Sequence, residues 1–330
     1  MNEKQICAQL RPRFSAVGFA LLIYYGIMTV AVMFVCFLHA VILIVQQYLD
    51  NPGVIPSDSV VDAILDAVIN NGWGYLLATL LGAVLLLVWK KRQFCFHDIW
   101  NQQKPMKAGS FFMLLSIFIS AQALVQLSAA AMEWFFGLFD MSVMDALEEM
   151  SVSGDTLSMF LYMCLAAPLF EEIIFRGFVL RTLEPYGKKF AILGSAFLFG
   201  IFHGNILQTP FAFAVGLILG YVTLEYSIVW AMLLHLINNL ILGDSLTRFM
   251  QLLPPWVGEL IFAAVIWGSL LAAVIILIAK RKQVVGYFSG PKIHPLCLKS
   301  FFTSPGILVL TGVMVLNILL SIAMIFMEQI

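Results

Sequence analysis

Three apolar stretches of the sequence carry side chains that lipid does not welcome. One reads Pro168-Leu169-Phe170-Glu171-Glu172-Ile173-Ile174-Phe175-Arg176, the second ends near His203, and the third holds His235, Asn238 and Asn239. A charge at mid-bilayer costs at least about 2.5–3.5 kcal/mol on insertion scales, so such residues mark either a function or a compensating partner. Carboxylates, imidazoles and amides are the groups that move protons and donate hydrogen bonds. Two histidines and a glutamate could also form a three-ligand zinc site, although the HExxH signature of zinc proteases is missing from the sequence. A buried polar relay of the kind transporters use is a third chemistry open to them.

Spacing divides the residues. Glu172 and Arg176 are one helical turn apart and can pair, which offsets part of the cost of burying both. That pair alone could simply pin neighbouring helices. Glu171 lies about 100° round the helix from Glu172 and is left without a local partner. Pro168 loosens the helix just before the acids. His203 stands four residues after Phe199 and just before Gly204, which can end a helix. His235 and Asn239 share one helical face, as an interhelical clasp or part of a site. Asn238 falls on another face and reads as structural. His39, with no polar neighbour in sequence, reads as interfacial or satisfied by a backbone carbonyl. Glu225 reads as solvated at a membrane interface.

The elements that must position these groups follow from composition. Of 330 residues, 62% are hydrophobic and 11% are charged. Soluble domains run near 45–50% and about 25%, so the chain has too little charge to coat a water-soluble surface. Its long apolar runs read as helices, because lipid offers the backbone no hydrogen bonds. The expected fold is all-α, a polytopic membrane bundle of about nine spans near 17–46, 75–89, 110–133, 157–180, 190–204, 210–226, 227–243, 258–279 and 305–326. With the N-terminus cytoplasmic, every Lys and Arg except Arg248 falls on the inner side or, for Arg176, in the inner half of a span, as the positive-inside rule requires. The run after Arg13 reads as a retained anchor, not a cleaved signal. Stretches 57–71 and 140–150 read as amphipathic helices on the outer surface. The five scattered cysteines make no disulfide framework or zinc cluster. A net charge of −1 points to no nucleic-acid partner.

Depth then links the polar groups. At 1.5 Å per residue, Glu171 lies about 15 Å, His203 about 20 Å, and His235 and Asn239 about 12 and 18 Å from the inner surface. Three separate spans thus place them in one slab of the bilayer, as a shared site would. Gly216 and Gly220 form a GxxxG face that lets helix backbones approach closely.

In order, Glu171-Glu172-xxx-Arg176, Phe199-xxx-His203, Phe213-xx-Gly216-xxx-Gly220 and His235-xxx-Asn239 resemble the four motifs of the CPBP family, the CAAX prenyl endopeptidases and their bacterial Abi relatives. The resemblance covers about 157–243. It implies peptide-bond hydrolysis inside the membrane, with Glu171 as the base that activates water, His203 assisting, and His235 and Asn239 holding the oxyanion. Glu172 and Arg176 would support them. No cofactor is implied by the metal-free version, which is the one favoured here; zinc is the alternative. The implied partners are the lipid bilayer and a membrane protein or lipidated peptide as substrate.

The expected organisation is N-terminal transmembrane helices over 1–156, a catalytic core over 157–243 and C-terminal helices over 244–330, in a multi-pass protein of a bacterial cell membrane. The rival reading is a non-catalytic protein of the same fold, acting in bacteriocin self-immunity or as a regulator. A transporter would call for inverted repeats and paired broken helices, and the sequence offers neither.

Overall fold

The computed structural model describes residues 3–90, 94, 96–139 and 156–328. The 140–150 stretch, Lys91, Arg92 and Cys95 lie outside the described residues. Within them every regular element is helical. α1 is Glu3–Asp50, α2 Asp58–Ile69 and α3 Trp73–Trp89. Next come α4 (Ala108–Ser120), α5 (Gln122–Gly137) and the long α6 (Leu157–Tyr186). α7 is Lys188–Phe202, α8 Gln208–Glu225, α9 Ile228–Gln251 and α10 Pro255–Ala279. α11 (Arg281–Ser289), α12 (Pro295–Phe302) and α13 (Pro305–Glu328) complete the chain.

Seven segments are long and apolar enough to cross a membrane: α1, Asp58–Leu85, Ala108–Gly137, α6, α9, α10 and Pro305–Ala323. The chain is a multi-pass membrane protein. The fifth and sixth expected spans fall on α7 and α8, which are shorter, at 15 and 18 residues. α2 forms where an amphipathic helix was expected, with no buried residue. His39 differs from expectation: its Nδ1 meets the Asn71 side chain at 2.9 Å. The partner is 32 residues away in sequence, beyond any local pattern.

One core runs through α6–α9 and takes in Phe14 and Leu21 of α1, Phe118 of α4 and Phe301 of α12. α7 and α8 meet along small residues. A Cβ on Gly216 would stand 3.0 Å from Ala196 Cα, and one on Gly220 would stand 3.3 Å from Ile192 Cγ2. Gly200 faces the Thr209 carbonyl and Phe213 just as closely. This seam fixes the height at which α7 presents His203.

One end of the bundle gathers the basic residues. Arg13 donates to the Tyr186 hydroxyl, Arg11 to Thr303, and Lys299 to Glu3. Lys189 donates to the Phe288 and Gly290 carbonyls. Glu225 is paired there, with Lys104 at 2.8 Å and Lys188 at 3.8 Å, where solvation had been expected. That hydrogen bond holds the Lys104 ammonium above its ordinary pKa. The loop carrying Lys104 is tied to the α8–α9 turn by Gln103 N–H donating to the Tyr226 carbonyl.

Gly216→Val should force α7 from α8 against backbone, an overpacking cost of about 1–3 kcal/mol. Gly220→Ala meets the Ile192 side chain at 3.3 Å and its Cα only at 3.6 Å, and should cost less. Thermal unfolding of the purified protein in detergent reads the order; equal losses would contradict the seam.

Candidate active site

α6 is not a uniform α-helix. Leu161–Ala166 and Ile173–Leu180 are π-helical, flanking an α-helical turn at Ala167–Glu172. Pro168 has no N–H to continue the ladder, and the register changes beside it. A second π-helical stretch, Ile237–Ser245, follows His235 in α9. Such stretches are rare and concentrate at functional sites, because they re-aim side chains without ending the helix.

Within the short α-turn the two adjacent acids part company. Glu172 is fully buried, with its Oε1 3.1 Å from Arg176 Nη1. The guanidinium is also fully buried and lies 4.1 Å above the Phe199 ring, a desolvated cation–π contact. His235 Nδ1 stands 2.9 Å from the same Glu172 oxygen. A carboxylate can only accept, so Nδ1–H donates and His235 Nε2 is turned outward. Nε2 stands 3.7 Å from Glu171 Oε2. Glu171 thus finds its partner on another helix, and its side chain keeps 29% exposure.

His203 is oriented in the same way. Its Nδ1 is 2.8 Å from the Phe199 carbonyl, an acceptor, so Nδ1 carries the proton and Nε2 is left as a lone pair. The Phe199 ring packs edge-on against both imidazoles, at 4.8 Å from His203 and 6.0 Å from His235. Phe199 therefore supports the guanidinium and both histidines.

Glu171, His203, His235 and Asn239 line one cavity of about 470 Å³. Glu172 and Arg176 lie behind its wall, and Gly216 and Gly220 hold α8 against α7. Asn238, expected on a separate face, lines the cavity beside Asn239. The i→i+5 pattern puts more residues in each turn, so successive side chains diverge less than on an α-helix. The sequence reading also passed over Gln122. Its Nε2 donates to Asn238 Oδ1 at 2.8 Å, Asn238 Nδ2 donates to Asn239 Oδ1 at 3.0 Å, and Asn239 Nδ2 donates to the Met163 carbonyl at 3.0 Å. The three amides thereby fix one another's orientation. Gln122 is a polar residue within an expected span, and the test that singled out Glu171 would have found it. The contact of His235 with Glu172 had no such signal, since no spacing relates residues 63 apart.

The cavity is apolar along Phe118, Phe160, Phe211 and Val215 and polar at its acid, imidazoles and amides. It can seat an extended peptide between fixed donors and a partly desolvated carboxylate. Two imidazoles with Nδ1–H anchored and Nε2 free also suit a metal ligand set. Among the described residues no group of three His, Cys, Asp or Glu side chains is arranged to hold a metal ion.

Residues 153–241 match the family model Type II CAAX prenyl endopeptidase Rce1-like, a domain-level match to the CPBP family. The match points to a hydrolase of the CAAX-endopeptidase kind. No curated protein and no solved structure matches the chain.

Arg176→Met leaves Glu172 buried with only His235 beside it and should cost about 3–5 kcal/mol. Replacing both, as Glu172→Gln with Arg176→Met, should cost less than the sum of the single changes. Additive losses in detergent unfolding would mean that the two side chains do not interact.

Proposed function

We propose that the protein is an intramembrane endopeptidase that hydrolyses a peptide bond of a membrane-associated or lipidated protein, with a water activated by Glu171. The observation that carries this reading is the division of the two acids. Glu172 is spent on Arg176 and His235, while Glu171 faces the cavity with a free imidazole nitrogen 3.7 Å away. A carboxylate that is accessible yet partly desolvated is what a general base needs.

In the reaction, Glu171 takes a proton from water steadied by the His203 Nε2 lone pair. The hydroxide oxygen attacks the scissile carbonyl carbon. The resulting oxyanion meets Asn239, whose amide has a second N–H beyond the one on Met163, and His235 Nε2. To donate from Nε2 while Nδ1–H stays on Glu172, His235 must act as an imidazolium. With Glu171 protonated, Glu172, Arg176 and His235 then sum to one positive charge, which the oxyanion balances. Glu171 returns its proton to the amide nitrogen, the C–N bond breaks, and the new carboxylic acid gives its proton to the departing amine, so that a carboxylate and an ammonium leave. Fixed donors in a water-poor site are worth about 10²–10³ in rate each.

Residues 157–243 form the catalytic core in this reading, with 1–156 and 244–330 as flanking helices. No cofactor enters the mechanism. Glu172, Arg176 and Phe199 act by holding the imidazoles. Gln122 acts through Asn238 on Asn239 and is a positioning residue.

Glu171→Gln should abolish cleavage of a membrane-peptide substrate by the reconstituted protein while its unfolding temperature stays near wild type. Wild-type cleavage by this variant would remove Glu171 as the base. If chelators stop the wild-type reaction and zinc restores it, the zinc version replaces the metal-free one. A folded wild-type protein that cleaves no membrane peptide would favour the immunity or regulatory reading. Gln122→Leu should lower kcat about 3–10-fold, the worth of one lost hydrogen bond, with KM little changed and with partial rescue by Gln122→Asn. A loss confined to stability would make Gln122 merely structural.

A further inference from the structure

The two ends of the catalytic cavity are not alike. Toward the basic end, the bundle beneath Glu171 and His235 is packed shut. Phe178, Val179, Leu180 and Leu183 of α6, Leu224 of α8 and Ile228 of α9 are all at most 3% exposed. Ile99 closes the gap beside Gly177 and Ile228, and the Gln103–Tyr226 hydrogen bond ties its loop down. Toward the other end, the lining residues come from the helix ends farthest from the basic cluster. Phe160 and Met163 begin α6, Gln208 begins α8, and Gly243 and Asp244 lie near the end of α9. Met163, Gln208 and Gly243 are exposed. The ion pair of Asp244 with Arg248 at 2.8 Å flanks this mouth, whereas Arg11, Arg13, Lys104, Lys188, Lys189 and Lys299 all crowd the sealed end.

The positive-inside rule assigns the end rich in Lys and Arg to the cytoplasm. We infer that substrate enters from the opposite, extracytoplasmic face, so that the occupant is the outward-facing segment of a membrane-anchored peptide, not a cytosolic lipidated C-terminus. This refines the proposed hydrolysis and rests on it for the word substrate; the route itself does not depend on the chemistry. The mouth suits such a segment. Its Phe160 and Phe211 can take apolar side chains leaving the bilayer, and Gln208 can pair with exposed peptide groups.

The test is thiol labelling from each side of the membrane. Single-cysteine variants Gln208→Cys, Gly243→Cys and Lys188→Cys are made in a chain whose five native cysteines are replaced by serine or alanine. Intact cells and inverted vesicles are treated with a membrane-impermeant maleimide, and size-exclusion profiles confirm that each variant is folded. The expected result is labelling at 208 and 243 from the cell exterior and at 188 only in inverted vesicles. Labelling of 208 and 243 from the same side as 188, or from the inner side alone, would overturn the inference. Two mouth positions are used so that one misfolded variant does not decide the matter. Correct labelling with no cleavage of peptides presented on either face would leave the route standing and remove the hydrolysis instead. Cleavage only of peptides presented on the inner face would overturn the route and leave the hydrolysis standing.

Discussion

Burying the Glu172–Arg176 pair without water is the constraint to which the rest of this bundle answers. Both side chains have no exposure at all. Removing either would strand a charge in a low-dielectric interior, where an unpaired ion costs several kcal/mol. The pair is also incompletely served: Glu172 Oε2 and the guanidinium nitrogens lack well-aligned hydrogen-bond acceptors or donors among the described residues. What makes up the difference comes from other helices. α9 supplies His235 Nδ1–H, and α7 supplies the face of Phe199. Three helices are thereby held in register around one salt bridge, and two imidazoles come to face one cavity as a consequence.

The same constraint explains where the helices depart from regularity. α6 must carry a buried pair on one face and an accessible acid on the next, and α9 must turn His235 toward the pair and its amides toward the cavity. In α6 the acids diverge on an α-helical turn set between two π-helical stretches, and in α9 the amides lie on a π-helical stretch. A regular α-helix through 235–239 would send Asn238 away from Asn239. The wider turns bring both amides to one wall, where Gln122 of α5 locks them.

Much of this was legible in the sequence because lipid is an unforgiving solvent. Every polar residue inside an apolar run needs a reason, so Glu171, Glu172, Arg176, His203, His235 and Asn239 stood out before any coordinates, and their depths agreed. The Gly216–Gly220 face was legible for a similar reason, since small residues at that spacing serve close helix contact. What remained hidden depends on which helix stands beside which. Hydropathy places α5 in the membrane, so Gln122 was open to the same test, but its contact with Asn238 of α9 depends on which helices are neighbours. The His39–Asn71 and His235–Glu172 contacts join segments that no periodicity connects. The count of spans differs at α7 and α8 because these helices, though apolar, are short, at 15 and 18 residues.

The division of labour between Glu171 and Glu172 is the point at which fold becomes chemistry. The two residues are chemically identical and adjacent, and one helical step of about 100° gives them opposite fates. Glu172 is turned into the bundle, where Arg176 and His235 both meet its Oε1. Glu171 is turned into a cavity with a sealed floor and an exposed mouth. Its neighbour has already claimed the guanidinium. Exchanging the order of burial would give a buried base that no substrate could reach. In the proposed reaction the pair Glu-Glu works as a unit: the first acid faces the cavity while the second is held by the guanidinium and imidazole behind it.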